Sequence, residues 1–587
     1  MAMQSRLDLK KGLFAPLALL LALVVILASC GGGAPAAPAD APAEEAAEAP
    51  AEDAPAAEEA PAEEAPAEEA AEGEKVLIIA VDGDIDTFDP CCTVGSKPTQ
   101  TVLQNTFDQL TQYAIVERTL PDGTPYLTVD TDDIVGMMAE EWSMDEDGVV
   151  TFNLREGLTW HNGEPVTAQS VVDGYNRIFE VGGNASFLLT MGGVNDASYF
   201  AVVDDLTLTM APDVPNNLVN MNNVMHNTSI LAPGNIAEYA TDSDPFATEY
   251  FRENLAVGNG PFLLEEYVPG DRIVLRANED YYAGPPALDR VIMKIVPDAQ
   301  QRVLLLQSGE VDMILIPPVQ ELDRLQEDAN INVISVPSTQ NRMLMMNVEM
   351  EPFNNQQVRH AIAHAVPYDL LIEQVWFGRA QPLQSPIANG TPTSDFSFWD
   401  YDYDLERAAE LLAEAGYPDG EGLPPITLSI RIGTQEDERA AIIIQDSLSQ
   451  IGMDVTIEPV AFAAFNERVQ RKEMPFWIDE WISWVNDPFY HLSWLYRSDS
   501  PSGYTRYNNP EVDELIATYT LWNGDAAERE EASRRIQELV VEDLPVIYLA
   551  APNFNMATRS NVSGYVYYND ELTRFYPMDK SEGAASR

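Results

Sequence analysis

Between Ile426 and Val460 the chain alternates short apolar runs with one long helical pattern. ITLSIRI is a compact apolar run, ERAAIIIQDSLSQ has apolar residues at helical spacing, and DVTIEPV is apolar again. A strand–helix–strand order within so short a stretch is typical of a parallel or mixed sheet covered by helices. The stretch therefore predicts an α/β fold.

The same alternation recurs along the chain. VLIIAV predicts a strand from Val76, TVLQNTFDQLTQY has helical spacing, and DLERAAELLAEAG predicts an amphipathic helix that Gly416 ends. A chain of 587 residues is too long for a single hydrophobic core. We therefore expect two or more lobes.

The first thirty residues have the layout of a lipoprotein signal. Arg6, Lys10 and Lys11 precede the apolar run LFAPLALLLALVVILA, which ends in LASCGGG. This order is typical of a secretory signal. Because the run is short and lacks a basic flank after it, a permanent membrane helix is the weaker interpretation. LASC resembles the bacterial lipobox, which implies a signal peptide at 1–29 and lipidation of Cys30. The alternative is an ordinary leader with an incidental cysteine.

Residues 30–74 are expected to form a disordered tether. After Cys30 the segment is almost entirely Ala, Pro, Glu, Asp and Gly, with fourteen acidic residues and no basic ones. It has too little apolar surface to offset the entropy of ordering, and its like charges extend it. We therefore expect the segment to set the distance between Cys30 and the folded body, and not to bind ligand or to catalyse a reaction.

The folded body is strongly acidic. Removing the leader and the tether from a net charge of −62 leaves about −50 on the remaining residues. Such a body repels nucleic acid and anionic lipid headgroups, so both are poor candidates for partners.

Cysteine usage gives no sign of a metal site or a disulfide framework. Apart from Cys30, only the adjacent Cys91 and Cys92 are present. Neighbouring cysteines rarely meet disulfide geometry, so they predict two ordinary thiols or a strained vicinal bridge. Because no cysteine or histidine cluster has zinc spacing, we expect no metal.

Several long stretches resemble one family. LREGLTWHNGEPVTAQSVVDGYNRIF, from Leu154, is similar to the signature of bacterial extracellular solute-binding proteins of family 5, the receptors of dipeptide and oligopeptide importers. The similarity covers nearly all of residues 75–575 in the family's order. It continues in GNGPFLLEEYVPGDRIVLRANEDYYAGPPALDRV, LLLQSGEVDMI, FNNQQVRHAIAHAVPYDLLIEQVWFGRAQPLQSPI and NNPEVDELI.

The resemblance implies a two-lobed fold like that of periplasmic binding proteins, of type II and cluster C, with an extra domain inserted in the first lobe. It places the first lobe at residues 75–115, 253–345 and 546–587, the extra domain at 116–252 and the second lobe at 346–545. Ligand then binds in the cleft between lobes that close about a hinge.

Four of the nine tryptophans lie within the eighteen residues from Trp477 to Trp494. Their spacing allows a helical face, and therefore a buried aromatic stripe. Pro475 before the run and NDP after it favour instead a short strand, FWIDEW, that ends in a turn.

The resemblance implies that the loop after this strand faces the cleft. Trp477 and Trp494 are then expected in the core, where tryptophan is usually found. The residues expected to bind ligand are Trp481, Trp484, Asn486 and Asp487, with Tyr504 and Arg506 from the later loop GYTRYNNP.

Position 484 departs from the pattern of the peptide-binding members. They carry an aspartate three positions before the Asp-Pro pair, where it pairs with the α-ammonium group of the peptide; in this chain the residue is Trp484. A carboxylate–ammonium contact is strong and orienting, whereas an indole attracts a cation by about 0.5–2 kcal/mol and also stacks on sugar rings. Peptide remains the first expectation for the ligand, and an oligosaccharide is the alternative.

Other motifs give weaker signals. His360 and His364 are four residues apart, as two metal ligands on a helix are, but no third ligand is nearby, so we expect packing or surface histidines. The sequence contains no GxSxG, no HExxH and no phosphate- or nucleotide-binding glycine motif. No catalytic residue is therefore expected.

The expected function is a monomeric, lipid-anchored receptor outside the cytoplasm. It would capture a small polar solute and deliver it to the permease and ATPase subunits of an ABC importer. No cofactor is expected, because ATP is hydrolysed in the partner. A sensor or adhesin without transport is the remaining alternative, and neighbouring permease and ATPase genes would distinguish the two.

Overall fold

The computed structural model describes residues 73–91, 96–120, 122–216 and 228–581. The predicted signal peptide, Cys30, all but the last two residues of the predicted tether, and Cys92 lie outside these ranges. Within them, no helix combines the length and the apolar character needed to span a bilayer.

The described chain is a mixed α/β structure. Its strands are β1 Val76–Val81, β2 Thr111–Thr119, β3 Pro125–Gly136, β4 Ala139–Met144, β5 Val150–Leu154, β6 Phe200–Val202, β7 Thr207–Met210, β8 Phe262–Val268, β9 Arg272–Ala277, β10 Arg290–Ile295, β11 Met313–Leu315, β12 Ile331–Pro337, β13 Gln340–Met346, β14 Ala380–Gln381, β15 Ile426–Arg431, β16 Val455–Val460, β17 Phe476–Ile482, β18 Val546–Arg559, β19 Val562–Ser563, β20 Val566–Tyr567 and β21 Asp579–Lys580. Its helices are α1 Lys97–Thr106, α2 Ala168–Val181, α3 Asn184–Met191, α4 Pro233–Tyr239, α5 Thr248–Glu253, α6 Ala299–Ser308, α7 Leu322–Gln326, α8 Gln356–Ala365, α9 Tyr368–Gln374, α10 Leu405–Glu414, α11 Gln435–Ser449, α12 Phe462–Gln470, α13 Pro488–Tyr496, α14 Pro510–Tyr519 and α15 Ala526–Asp543, with short 3₁₀ turns at Ala197–Tyr199, Val319–Glu321 and Pro418–Gly420.

Local sequence explains where several elements begin and end. Asp404 and Asp487 cap α10 and α13, because each side chain accepts a hydrogen bond from a backbone N–H of the first helical turn. Gly416 follows α10 with φ at 97°, a left-handed conformation that glycine adopts without strain. The predicted strand, helix and strand at 426–460 are β15, α11 and β16, and the two strands are parallel.

One long strand connects the two parts of the largest sheet. The sheet runs β16-β15-β17-β13-β18-β11-β1-β10-β9-β8, and β12 and β14 also pair with β18. Residues 546–550 of β18 pair with β13, whereas residues 553–559 pair with β12. One part of the sheet holds β16, β15, β17 and β13, and the other holds β12, β11, β1, β10, β9 and β8. The chain passes from one part to the other between β12 and β13, at residues 338–339, and again within β18, at residues 551–552. Two adjacent crossings of this kind are suited to a hinge.

Separate hydrophobic cores lie along the chain. The first core, around Leu77, Met293 and Phe554, covers the part of the sheet that holds β1. The second core includes Trp477, which is buried as expected, and covers the part that holds β17. The third core, around Phe152, packs the sheet β4-β5-β7-β6 against α2 and α3. Several cores are what a chain of this length requires, and the exact domain limits stay a prediction.

A further apolar group joins the third core's helix α3 to α13 in the second part of the molecule. This interface cluster comprises Tyr113, Val129, Leu188, Met191, Val485, Tyr490, Trp494, Val566 and Tyr568. Phe187 packs against it, with its ring centroid 4.3 Å from that of Trp494 and 5.8 Å from the guanidinium carbon of Arg497. Trp494 is buried, as expected. The cluster therefore holds α3 of the third core against α13.

Phe187→Ala should loosen this contact. The ring lies between two parts of the molecule, so its loss weakens their association by about 1–2 kcal/mol and leaves each core intact. We expect a larger radius of gyration in small-angle X-ray scattering of the ligand-free protein. Phe462→Ala, at a residue on α12 that is 51% exposed, is the matched control. Identical scattering from the two variants would contradict a holding role for Phe187.

Candidate ligand-binding site

A cavity of about 360 Å³ lies where four segments of the chain meet. Four segments supply most of the wall, namely the end of α1 with β2, the loop after β9, the stretch after β20 and the loop after β17, and Met137, Arg155 and Pro261 come from three further places. The cavity wall has aromatic rings from Tyr113, Tyr281, Tyr282, Trp484, Tyr568 and Tyr576. It has carboxamides from Gln104, Asn105, Gln109, Gln112 and Asn569. Aromatic rings combined with a few placed polar groups are characteristic of small-molecule sites.

Three of the carboxamides, those of Gln104, Asn105 and Gln109, form hydrogen bonds with neighbouring groups. Asn105 donates to the carbonyl of Thr573 at 2.7 Å and accepts from the backbone N–H of Phe575 at 2.7 Å. Gln104 donates to Oε1 of Gln109 at 2.9 Å. The end of α1 is thereby tied to the stretch after β20, and the polar wall is preorganised.

The backbone at Trp484 is held from across the cleft. Strand β17 pairs with β13 as far as Ile482, and the chain then turns. The amide Nδ2 of Asn569 donates to the carbonyl of Trp484 at 2.6 Å and to that of Ser483 at 3.3 Å. Thr339 Oγ1 also donates to Ser483 O, at 3.0 Å. The predicted strand FWIDEW is confirmed, and the loop after it reaches the cavity.

Of the six residues expected to bind ligand, Trp484 is the one that the described cavity wall contains. Trp481 is half-buried behind it, with its ring centroid 6.0 Å from that of Trp494. Asn486 Nδ2 lies 3.4 Å from Oδ1 of Asp132. Contact of Trp481 or Asn486 with ligand stays a prediction.

The other three expected residues have contacts of their own outside the wall. Asp487 accepts from the backbone N–H of Phe489 at 2.8 Å and pairs with Arg529 at 2.8 and 2.9 Å. Tyr504 packs against the second core, and burial raises the pKa of its hydroxyl. Arg506 is exposed, with Nε 3.9 Å from Glu349. A binding role for these three residues also stays a prediction.

Two charged side chains of the wall neutralise each other. Arg574 donates to both carboxylate oxygens of Asp570, at 2.5 and 2.6 Å, and its guanidinium carbon lies 3.9 Å from the centroid of the Tyr568 ring. Burial lowers the pKa of Arg574, but the adjacent Asp570 outweighs burial and the pKa is raised. The pair is therefore a fixed, neutral part of the wall.

Arg155 is the remaining charged residue of the described wall. Its Nε donates to the carbonyl of Met137 at 2.7 Å, and its guanidinium carbon lies 5.3 Å from the centroid of the Tyr282 ring. The carbonyl and the ring orient the guanidinium at the cavity.

A buried carboxyl group lies behind the tyrosines. Asp108 is fully buried, and the hydroxyl of Tyr281 donates to its Oδ2 at 2.9 Å. Burial raises the pKa of Asp108 to about 7, although hydrogen bonds from Tyr281 and Tyr282 and the charge of Arg155 act in the opposite direction. Near neutral pH the group is therefore divided between its neutral and ionised forms.

The histidines pack as expected. His360 Nε2 lies 2.9 Å from the carbonyl oxygen of Glu542, and His364 Nδ1 lies 3.1 Å from that of Asp402. Both rings contact Tyr401, with centroids 5.5 and 5.2 Å away. Across the described ranges, no group of three or more His, Cys, Asp or Glu side chains is arranged to hold a metal ion.

Sequence reasoning missed most of the cavity wall. Arg155, Tyr281 and Tyr282 lie inside stretches that carry the family resemblance, but no local pattern marked them. The stretch QNTFDQ at the end of α1 did offer a signal, because it places several polar residues within a stretch that has apolar residues at helical spacing. The structure shows these polar residues to be buried, which is unusual. Tyr568 and Tyr576 reach the site only through the tertiary fold.

Comparison with known proteins gives a consistent result. Residues 133–503 match the family described as bacterial extracellular solute-binding proteins, family 5, middle. The probable D,D-dipeptide-binding periplasmic protein DdpA of Escherichia coli K12 is 27% identical over 501 residues, 84% of this chain and 92% of that protein. Heme-binding protein A of Haemophilus influenzae is 28% identical over 465 residues, 76% of this chain and 84% of that protein.

A solved structure agrees with the sequence comparisons. The ABC transporter-associated periplasmic binding protein DppA from Helicobacter pylori, in complex with the peptide STSA, superposes with a TM-score of 0.75. It is 26% identical in sequence, and the match covers 86% of this chain and 98% of that one. The expected fold class, a two-lobed mixed α/β fold of cluster C, is confirmed.

Proposed function

Because this chain belongs to family 5 of the bacterial extracellular solute-binding proteins, we propose that it captures a compact peptide by lobe closure and delivers it to an ABC importer. Membership makes the chain a substrate-binding protein of this importer family, and not an enzyme. Of the named relatives, one is a probable D,D-dipeptide-binding protein, one is a heme-binding protein and one is in complex with the peptide STSA. Ligands therefore differ within the family, and the residues of the site decide which ligand this chain binds.

The observation that carries the proposal is the composition of the cavity wall from both sides of the cleft. Trp484 comes from the loop after β17, whereas Asn569 comes from the stretch after β20 and holds the Trp484 carbonyl. A solute in this cavity contacts both sides at once, so it binds the closed arrangement better than an open one. About 360 Å³ is near the lower limit for small-molecule sites, which favours a solute of two or three residues.

An oligosaccharide is the second candidate. Six aromatic rings and five carboxamides on one wall offer stacking faces and hydrogen-bond partners that sugar rings use. Trp484 at the position where peptide binders carry an aspartate favours this alternative. Peptide ranks first because the DdpA and DppA relatives are named for dipeptide binding or bind a peptide.

The proposed location is outside the cytoplasm, with the body held at a membrane by a lipid on Cys30. Support comes from membership of a family of extracellular proteins and from the order of basic, apolar and small residues before Cys30. The acidic tether would then separate the cleft from the membrane. Partners in this proposal are the permease and ATPase subunits, with the chain acting as a monomer.

A thermal-shift screen of the full chain tests the ligand class. The probes are pooled dipeptides, pooled tripeptides, and cello- and xylo-oligosaccharides. A ligand at about 100 times its Kd stabilises the folded state by about 2.7 kcal/mol, which raises the Tm. A shift from peptides supports the proposal, and a shift from sugars alone supports the second candidate. No shift from any pool contradicts both.

Trp484→Ala should weaken binding of whichever pool gives the shift by about 10–100-fold. The substitution removes a large ring from the cavity wall, and aromatic stacking and burial of this size contribute about 1.4–2.7 kcal/mol. Isothermal titration calorimetry measures the change. Trp522→Ala is the matched control, because Trp522 packs against Tyr519 outside the wall. Equal Kd values for the two variants would remove Trp484 from the site.

A further inference from the structure

The charged groups of the cavity wall differ in what they can still bind. Asp570 accepts two hydrogen bonds from Arg574 and a third from the backbone N–H of Leu572 at 2.9 Å. Arg155 uses Nε for the Met137 carbonyl, and its charge acts on the buried Asp108, but across the described ranges its guanidinium forms no ion pair within 4.0 Å. The carboxylate of Asp570 is thus already paired, whereas the terminal nitrogens of Arg155 remain for a ligand.

An ammonium group in this cavity would find no carboxylate in the described wall that is not already paired with Arg574. Trp484 occupies the position at which the resemblance implies an aspartate, and Asp570 is held by Arg574. Asp108 lies behind the wall, with the hydroxyl of Tyr281 donating to it. Burying a charge without a counterion costs more than the attraction of a cation to an aromatic ring restores.

A carboxylate meets the opposite situation. The terminal nitrogens of an arginine present parallel N–H donors that match the two oxygens of a carboxylate. In this cavity the guanidinium is oriented beforehand, by the Met137 carbonyl at 2.7 Å and by the Tyr282 ring at 5.3 Å. Preorganised donors lose little freedom on binding, so this contact gives both affinity and direction.

We propose that the solute carries a carboxylate bound by Arg155 and has no free ammonium group, as in a small peptide whose amino end is acylated. This inference rests on the proposed function, because it specifies the ligand of the same cavity. It explains why an indole is tolerated at position 484. A blocked amino end is uncharged and can lie against Trp484, whereas an α-ammonium group needs a carboxylate there.

Native mass spectrometry of the full chain tests the inference with three pooled dipeptide libraries. One library is unmodified, the second is N-acetylated with a free carboxylate, and the third is N-acetylated with a C-terminal amide. For the wild-type protein we expect the N-acetylated acids to bind at least tenfold more tightly than either of the other pools. This comparison needs no substitution, so it does not depend on a variant that folds.

Substitution then assigns the effect to one side chain. Arg155→Gln should weaken binding of the N-acetylated acids by about 10–100-fold and leave binding of the amides unchanged. Arg155→Lys keeps the charge but loses the paired donors, so its affinity for the N-acetylated acids should lie between those of the wild type and Arg155→Gln. Arg118→Gln, at an exposed arginine on β2, is the matched control and should bind as the wild type does.

The outcomes separate the inference from the proposed function. Tighter binding of unmodified dipeptides than of N-acetylated acids would overturn this inference and leave the proposed function standing. Equal binding of acids and amides, or an equal loss of both in Arg155→Gln, would also overturn it. If none of the three dipeptide pools binds the wild-type protein, this inference fails, and the proposed function fails with it only if the pooled tripeptides of the thermal-shift screen also give no shift.

Discussion

Replacing Arg177 by methionine should destabilise the folded protein by about 3–5 kcal/mol. Arg177 and Asp89 form a bidentate ion pair at 3.0 and 2.6 Å, and their side chains are 1% and 0% exposed. Methionine keeps much of the side-chain volume but leaves the charge of Asp89 buried without a cation. Arg177 Nε also donates to the Phe246 carbonyl at 3.1 Å, so the variant loses a tie between α2 and that loop.

Calorimetry and the midpoint of urea unfolding measure this loss. The double variant Asp89→Asn with Arg177→Met removes both charges and should recover part of the stability, because no buried charge is then left alone. Arg534→Met, which breaks the exposed pair with Asp395, should cost less than about 1 kcal/mol. If Arg177→Met lost no more stability than Arg534→Met, the buried pair would not be needed for stability.

Asp108→Asn should remove a dependence of stability on pH. Burial raises the pKa of Asp108 from 3.8 to about 7, so between these values the folded state holds more protons than the unfolded state. The stabilising contribution of the group is complete below about pH 4 and is lost as pH rises towards 7. The slope is about 1.4 kcal/mol per pH unit. Asparagine cannot ionise, so the variant should match the wild type near pH 4 and exceed its stability at pH 8.

Urea unfolding at several pH values between 4 and 8 measures this effect. The groups that act on Asp108 are Arg155, Tyr281 and Tyr282, and burial raises the pKa of both phenols. The phenols therefore stay neutral over this range. Tyr281→Phe removes a hydrogen bond that favours the ionised carboxyl, so it should extend the pH-dependent range upward. Parallel profiles for the wild type and Asp108→Asn would refute the assignment.

Much of the fold follows from patterns that are local in the sequence. The alternation at 426–460 and the prolines around FWIDEW predict β15, α11, β16 and β17 because strands and helices depend on nearby spacing. The family resemblance predicts the two-lobed architecture, since it extends over nearly the whole chain. These features need no knowledge of which distant residues touch.

The cavity depends on contacts between distant segments, and its composition was much less predictable. Asn105 binds the backbone at Thr573 and Phe575, more than 460 residues further along the chain. Asp487 is an example. The motif NDP predicts the turn, but it does not predict that Asp487 caps α13 and pairs with Arg529. Which polar residues face the cavity is decided by tertiary packing, which spacing does not encode.

In the proposed function, the hydrogen bonds from Asn569 to the Ser483 and Trp484 carbonyls would link release of a solute to a change in the backbone contacts of the loop after β17. Asn569 is flanked by Tyr568 and Asp570, so one short segment both lines the cavity and forms the hydrogen bonds to the loop that carries Trp484. If residues 483–484 move away from Asn569, these two hydrogen bonds must break while residues 568–570 of the cavity wall become exposed. In the proposed function, release of the solute would therefore require these two hydrogen bonds to break together with the contacts of the interface cluster.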